Sequence, residues 1–545
     1  MTTRLSISAT ALKPRYDAVV IGSGYGGGVA ACRLARMGLA VAVLERGREL
    51  LPGEFPSTAT AASREVQVRG KTANFGSETA LFDVRLGEDI HVLMACGLGG
   101  TSLINANVCL MPDPRVFDNP VWPTAIRTDR MLAEGYVRAR HMLRPVADPA
   151  TRSFQKVKAL ATASEVVGSG VDPVPLHIAF AHGPNAAGIV QPACVQCGDC
   201  CGGCNVGAKT TVANTYLADA KAFGAEIFTE GRVRSLAKEA GGGWRITLRR
   251  PAGARSGWTD ASVHAGIVVV AAGTLGTTEI LLRSRDSGLA LSDRLGTGVT
   301  SNGDAIAIAY NNDMAVNGVG VGHPPRAETE TVGAAVNGLV DLRANRPVTE
   351  GLAIVECALP SSMASLLPAM LVPGGALFGQ DGGGGIRDEL DEFGRAAVSL
   401  LRGAYKGAVH QTQTFLAVGH DEGDGQLRLD NDRVVFDWPG VPKQAVFRRI
   451  EDVLKAMTAA TGGTYMKNPA AEKMMGGNMM TVHPMGGCRI GADCRAGVVN
   501  DTCQVFDGSA GAAPDAVHEG LYVMDGSVVP SSLGVHPLLT ISAIA

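Results

Sequence analysis

Apolar and polar positions along the chain mark a first element close to the N-terminus. The segment Tyr16 to Ile21 ends in the apolar run DAVVI, short enough for a buried strand. Gly22, Gly24 and Gly27 follow at once, and then VAACRLARMGL, whose apolar residues recur at helical spacing. A second apolar run, VAVLE, closes at Glu45, about twenty residues past the turn. Strand, glycine turn, helix and strand in this order predict a parallel βαβ unit.

Similar patterning places later elements. GLAIVECALP predicts a strand with Glu356 on the same face as Leu352 and Ile354. The segment Gln444 to Thr458 sets Val446, Ile450, Leu454 and Met457 on one helical face, the mark of a packing helix. GLYVMDGSVV puts Asp525 at the end of an apolar strand. The stretch Ala358 to Gly379 is apolar and broken by prolines, and Gly382 to Gly385 follow it closely. It reads either as a buried core helix with a loop or as a hydrophobic lid beside a glycine hinge, with a slight lean to the lid. No run reaches the roughly 18 apolar residues of a membrane span. The N-terminal MTTRLSISATALKPRY has neither the apolar core nor the cleavage site of a secretory signal, which makes the cytoplasm the default compartment. The last residues, TISAIA, fall within the first turns of an expected helix, so the natural chain is expected to continue.

Composition sharpens this picture at three points. With 46% hydrophobic and 19% charged residues among 545, the chain is an ordinary globular one. Its 70 glycines call for many tight turns and close approaches of backbone to backbone or ligand. A net charge of −3 without a basic stripe excludes nucleic acid as an expected partner.

Candidate chemistry begins at the glycine turn. Gly22 permits the sharp turn, Gly24 lets a pyrophosphate reach the helix N-terminus, Gly27 allows close packing, and Glu45 is placed to hold ribose hydroxyls. The unit indicates a dinucleotide without choosing NAD or FAD. Two histidines precede prolines in matching contexts towards the C-terminal end: His483 in TVHPMGGC and His536 in GVHPLLT. A neutral imidazole suits removal of a hydroxyl proton, and proline holds the adjacent backbone rigid. Five of the twelve cysteines lie between Cys194 and Cys204. The spacing Cys194, Cys197, Cys200, Cys204 suits thiolates around an iron–sulfur cluster, although Asn205 rather than proline follows the fourth. Zinc competes, but lacks the usual second pair further along, and free thiols are a close second reading.

A second glycine turn, ACGLGGTSLINAN from Ala95 to Asn107, and the segments AAGTLGTTEILLRS and GLYVMDGSVVPSSLGVHPLLTISA join the opening unit. Together they resemble the glucose-methanol-choline family, and within it the cholesterol-oxidase-like branch. The resemblance implies an α/β fold: a discontinuous Rossmann-like FAD-binding domain with a second, α+β substrate domain on a mostly antiparallel sheet. The implied boundaries are 13–60, 88–140, 195–300 and 477–545 for the FAD domain, and 61–87, 141–194 and 301–476 for the other. It further implies that Tyr25 and the loop bearing Gly97, Gly100, Thr101, Ser102 and Asn105 lie along FAD, with Asn105 near the pyrimidine edge. Val233 would meet the adenine through its backbone, and Asp525 and Gly526 would lie near the ribityl chain, with His536 beside the ring.

The implied activity is hydride transfer from a sterol-like or other lipophilic alcohol to flavin N5, with His483 and His536 handling the hydroxyl proton. Cholesterol oxidases carry asparagine where His536 stands, which weakens a strict sterol assignment. The Glu356 segment resembles one that supplies an active-site glutamate for steroid double-bond isomerisation. Some glucose dehydrogenases of the family resemble this chain in carrying a cluster before a turn like Gly207 to Lys209. The electron acceptor is accordingly expected to be oxygen, or a protein or quinone. The alternatives are an isomerase using Glu356 and an iron–sulfur electron-transfer subunit.

Overall fold

The opening strand, Arg15–Ile21, lies inside a nine-stranded sheet. In this computed structural model the described residues are 3–71, 73–128, 130–252, 257–325, 330–380, 386–467 and 479–545. Val41–Leu44 and the C-terminal part of Trp258–Val270 flank the opening strand in parallel register. Burial on both faces explains the continuous apolar runs of these strands. Val19, Ile21 and Leu44 enter one core, while Ala18, Val20 and Val43 enter another with Val29 and Ala31 of the helix Tyr25–Arg36. Trp244–Pro251 and Arg232–Lys238 extend the sheet as an antiparallel meander. Val517–Val523 adds in parallel through Val268–Val270, so residues far apart in sequence finish one sheet.

A second sheet has six strands in the order Thr464–Lys467, Ala305–Tyr310, Gln413–Val418, Ala353–Cys357, Gly338–Asp341, Asp172–Pro173, with every neighbouring pair antiparallel. The fold is thus the α/β arrangement expected, with a Rossmann-like sheet beside an antiparallel one. The helix Ala445–Ala459 buries Val446, Ile450, Leu454 and Met457 against one face of the second sheet, as the periodicity requires. The helix Gln155–Ser164 covers the same face. The opposite face presents Val355, Leu416 and Val418 to Met485, Val529, Leu533 and Val535. Catalytic candidates close to those last residues therefore face this side.

A third sheet of five strands contains Val66–Arg69, Phe82–Arg85 and Ile90–Ala95. Met479–Thr481 pairs in parallel with its strand Ile90–Ala95 and leads directly to His483. The stretch Ala358 to Gly379 becomes the helix Leu367–Phe378, with Leu367 and Leu371 buried and Leu366, Met370 and Leu377 exposed. It is half core and half surface. The glycine hinge at 382–385 lies outside the described residues. Among the described residues no helix is long and apolar enough to cross a membrane.

Candidate active site

The glycine turn is built by steric exclusion at some positions and open space at another. Gly22 has φ +98°, and a Cβ on it would stand 2.2 Å from the Ala271 carbonyl oxygen. A Cβ on Gly26 would stand 1.7 Å from the Met524 carbonyl oxygen, and one on Gly27 would stand 2.1 Å from that of Gly22. A Cβ on Gly24 meets nothing. No side chain caps the helix at Gly24, so its first backbone N–H groups remain available to an anionic group. Glu45 is buried and accepts from the Ser23 hydroxyl at 2.6 Å and the Gly47 N–H at 2.7 Å, which fixes its carboxylate beside the turn.

The second glycine loop lies directly on the first. A Cβ on Gly100, itself at φ +57°, would come within 2.9 Å of the Gly24 Cα. Ser102 ties the loop down, donating to the Gly99 carbonyl at 2.6 Å and accepting from the Val212 N–H. The Thr101 carbonyl accepts from the Asn105 N–H at 2.9 Å, and Gly97 packs on Gly47. Asn105 donates from its amide nitrogen to the Tyr25 hydroxyl at 2.7 Å. Val233 is buried in Arg232–Lys238, where the strand register shifts. Asp525 accepts from the N–H groups of Ser527 and Gly273 and from the Thr277 hydroxyl, holding Gly526 at the start of a helical turn. Burial raises the Asp525 carboxyl above its usual range, although these donors oppose the shift.

Several polar atoms here are buried without a partner: Asn105 Oδ1, both side-chain atoms of Asn107, and both ring nitrogens of His536. Such groups are rare in finished cores and call for a bound ligand or ordered water. With the open space at Gly24, they fit FAD laid from the glycine turn to the histidines.

His483 and His536 come together. Their ring centroids are 5.0 Å apart and nearly perpendicular, at 83°. Sequence reasoning missed the residue that orients the first. Asp304, fully buried at the start of the strand Ala305–Tyr310, places Oδ1 2.8 Å from His483 Nδ1. Its Oδ2 accepts from the backbone of Val482 and His483 and from the Thr481 hydroxyl. An acceptor at Nδ1 puts the proton there and leaves Nε2 as a base. His536 lies well below the ordinary imidazole range because burial penalises its charged form, with His483 adding to the effect. It is a neutral partner.

Glu356 is not with these histidines. Its carboxylate forms a fully buried ion pair with Lys156 at 2.8 Å and accepts from the N–H groups of Asn337 and Gly338. Strand alternation turns it to the helix-covered face with Ile354, while Val355 faces the histidine side. The expectation that Glu356 faces substrate is corrected accordingly: its charge is neutralised by a lysine from the covering helix.

Cys194, Cys197, Cys200 and Cys204 line one cavity with Lys209. Backbone N–H groups of Gln196 and Ala335 donate to the sulfurs of Cys194 and Cys200, both at 3.4 Å. Among the described residues no three His, Cys, Asp or Glu side chains are grouped closely enough to hold a metal ion. Lys209 donates to the carbonyls of Cys200, Leu103 and Asn105, so one lysine ties the cysteine loop to the second glycine loop.

The chain is similar to a cholesterol oxidase of Mycobacterium tuberculosis, 25% identical over 98% of this chain and 90% of that one. It is also similar to a long-chain-alcohol oxidase of Arabidopsis thaliana, 24% identical over 98% of this chain and 66% of that one. The crystal structure of a pyridoxine 4-oxidase from Mesorbium loti shares the fold, with a TM-score of 0.56, 16% identity and 97% of each chain covered. The N-terminal domain of the GMC oxidoreductases matches residues 16–300 and their C-terminal domain matches residues 440–545, so this chain belongs to that family of FAD-dependent enzymes acting on CH–OH donors.

Proposed function

We propose that the chain oxidises a lipophilic alcohol, sterol-like or long-chain, at its hydroxyl-bearing carbon. The arrangement of Asp304, His483 and His536 carries this reading. FAD, when bound, supplies the hydride acceptor at flavin N5. His483 takes the hydroxyl proton at Nε2, and Asp304 holds the imidazole in that tautomer and stabilises the charge it gains. His536, neutral and with both nitrogens free, positions the alcohol oxygen by a hydrogen bond. The apolar sheet face with Val355 and Leu416, packed on Met485, Val529, Leu533 and Val535, keeps water from this side. The named activities of the two relatives, on cholesterol and on long-chain alcohols, support the same class and oxygen as acceptor. The isomerase reading gains no support, because Glu356 is committed to Lys156. The test is an anaerobic spectrum before and after a 3β-hydroxysterol and then a series of long-chain alcohols. Bleaching of the oxidised flavin band is expected, and flavin that none of them bleaches would refute the proposal.

The spacing of the four cysteines, not their placement in the fold, is what supports an additional redox group. On that reading Cys194, Cys197, Cys200 and Cys204 would hold an iron–sulfur cluster, which supplies one-electron chemistry and would direct electrons to a protein or quinone in place of oxygen. Iron and sulfide analysis of anaerobically purified protein tests this. Stoichiometric iron is expected, and iron-free protein after reconstitution with iron and sulfide would reject it.

A further inference from the structure

We infer that His177, acting through the Tyr25 hydroxyl, holds the Asn105 side-chain amide in one of its two orientations, with the carbonyl oxygen turned to the flavin cleft. The inference rests on reading that cleft as the FAD site.

Each link is forced by what its neighbour is able to donate or accept. His177 Nδ1 lies 2.7 Å from the Thr210 carbonyl oxygen, which only accepts, so Nδ1 carries a proton. His177 is completely buried, and burial, reinforced by the Lys209 ammonium, pushes it down to about 3, so the ring is neutral. A neutral ring protonated at Nδ1 has an acceptor at Nε2. That atom is 3.2 Å from the Tyr25 hydroxyl, which therefore donates to it. Tyr25 has one proton and has spent it, so its oxygen only accepts from its other partner. That partner is the Asn105 amide at 2.7 Å, which must present NH2. The Asn105 carbonyl oxygen is left on the far side, buried and without a donor. The backbone cannot slide to relieve this, because Lys209 holds the Asn105 main-chain carbonyl at 2.6 Å.

An acceptor fixed in this way pairs with an N–H of the bound ring and opposes negative charge that accumulates on reduction. The relay therefore holds the flavin potential down, and cutting it lets the amide turn and offer NH2 instead. His177 and Tyr25 are positioning residues for Asn105.

The experiment compares midpoint potentials of bound flavin in the holoenzyme and in Tyr25→Phe, His177→Leu and His177→Gln. An upward shift is expected for Tyr25→Phe and His177→Leu. His177→Gln, whose side-chain carbonyl still accepts from Tyr25, is expected to keep the wild-type potential. Unshifted potentials in flavin-replete Tyr25→Phe and His177→Leu would overturn the inference, as would His177→Gln behaving like His177→Leu. Should the variants fail to fold, the ring 15N shifts of His177 in wild-type holoenzyme decide: protonation at Nδ1 is expected, and protonation at Nε2 overturns it. Wild-type protein that binds no FAD would instead defeat the reading of the cleft.

Discussion

Asp304 and Glu356 are both buried carboxylates, yet their partners give them opposite roles. Asp304 spends one oxygen on three backbone and hydroxyl donors and the other on His483, so removing its charge acts on the imidazole. Asp304→Asn is expected to keep FAD and lower kcat by roughly 10²–10⁴-fold, measured as the rate of anaerobic flavin reduction by a substrate alcohol. Glu356 instead neutralises Lys156, and both are shut away from solvent. Glu356→Gln leaves the ammonium buried and uncompensated, so a loss of about 3–5 kcal/mol in denaturant titration is expected, while folded protein still reduces its flavin with alcohol. From the residues alone Glu356 was legible only as a carboxylate sharing a strand face with Leu352 and Ile354. Nothing local names its partner, because Lys156 lies 200 residues earlier in the chain. Asp304 was illegible for the same reason: it leads into the strand Ala305–Tyr310 of the antiparallel sheet and meets His483 only through tertiary packing.

At the scale of elements, the strand–turn–helix unit was readable because one short segment carries the whole requirement. Its glycines nevertheless divide in a way that spacing did not reveal. Gly24 faces open space at φ −69°, a conformation any residue adopts, whereas Gly26 lies on the backbone of Met524. Gly24→Ala is expected to fold with nearly wild-type thermal stability but bind FAD at least tenfold more weakly, read by flavin fluorescence titration. Gly26→Ala is expected to lose about 1–3 kcal/mol or more of stability from overpacking, visible as a lower melting temperature even without FAD. The requirement at Gly26 was hidden because its neighbour comes from the other end of the sequence. The apolar stretch before residue 380 also exceeded what pattern reading resolves, since its helix is buried on one side and exposed on the other.

For the molecule as a whole, buried neutral imidazoles tie stability to pH. His177 is pushed down to about 3 and His536 lies well below its ordinary value, while both titrate near 6.5 once unfolded. The unfolded chain therefore binds more protons below that pH. Their contribution is complete above about 6.5 and is lost as pH falls below it, at up to about 1.4 kcal/mol per pH unit for each ring. Denaturant midpoints measured from pH 7.5 to 4.5 should fall accordingly, and replacing His177 by Gln should flatten the decline. The approach of Gly26 to Met524 has a further consequence, for biogenesis. The turn at residues 22–28 gains this packing neighbour only once the strand ending at Val523 has been synthesised. At roughly 5–20 residues per second, that strand is made about 25 to 100 s after the turn, so the pyrophosphate end of the cleft gains its packing long after its glycines are synthesised.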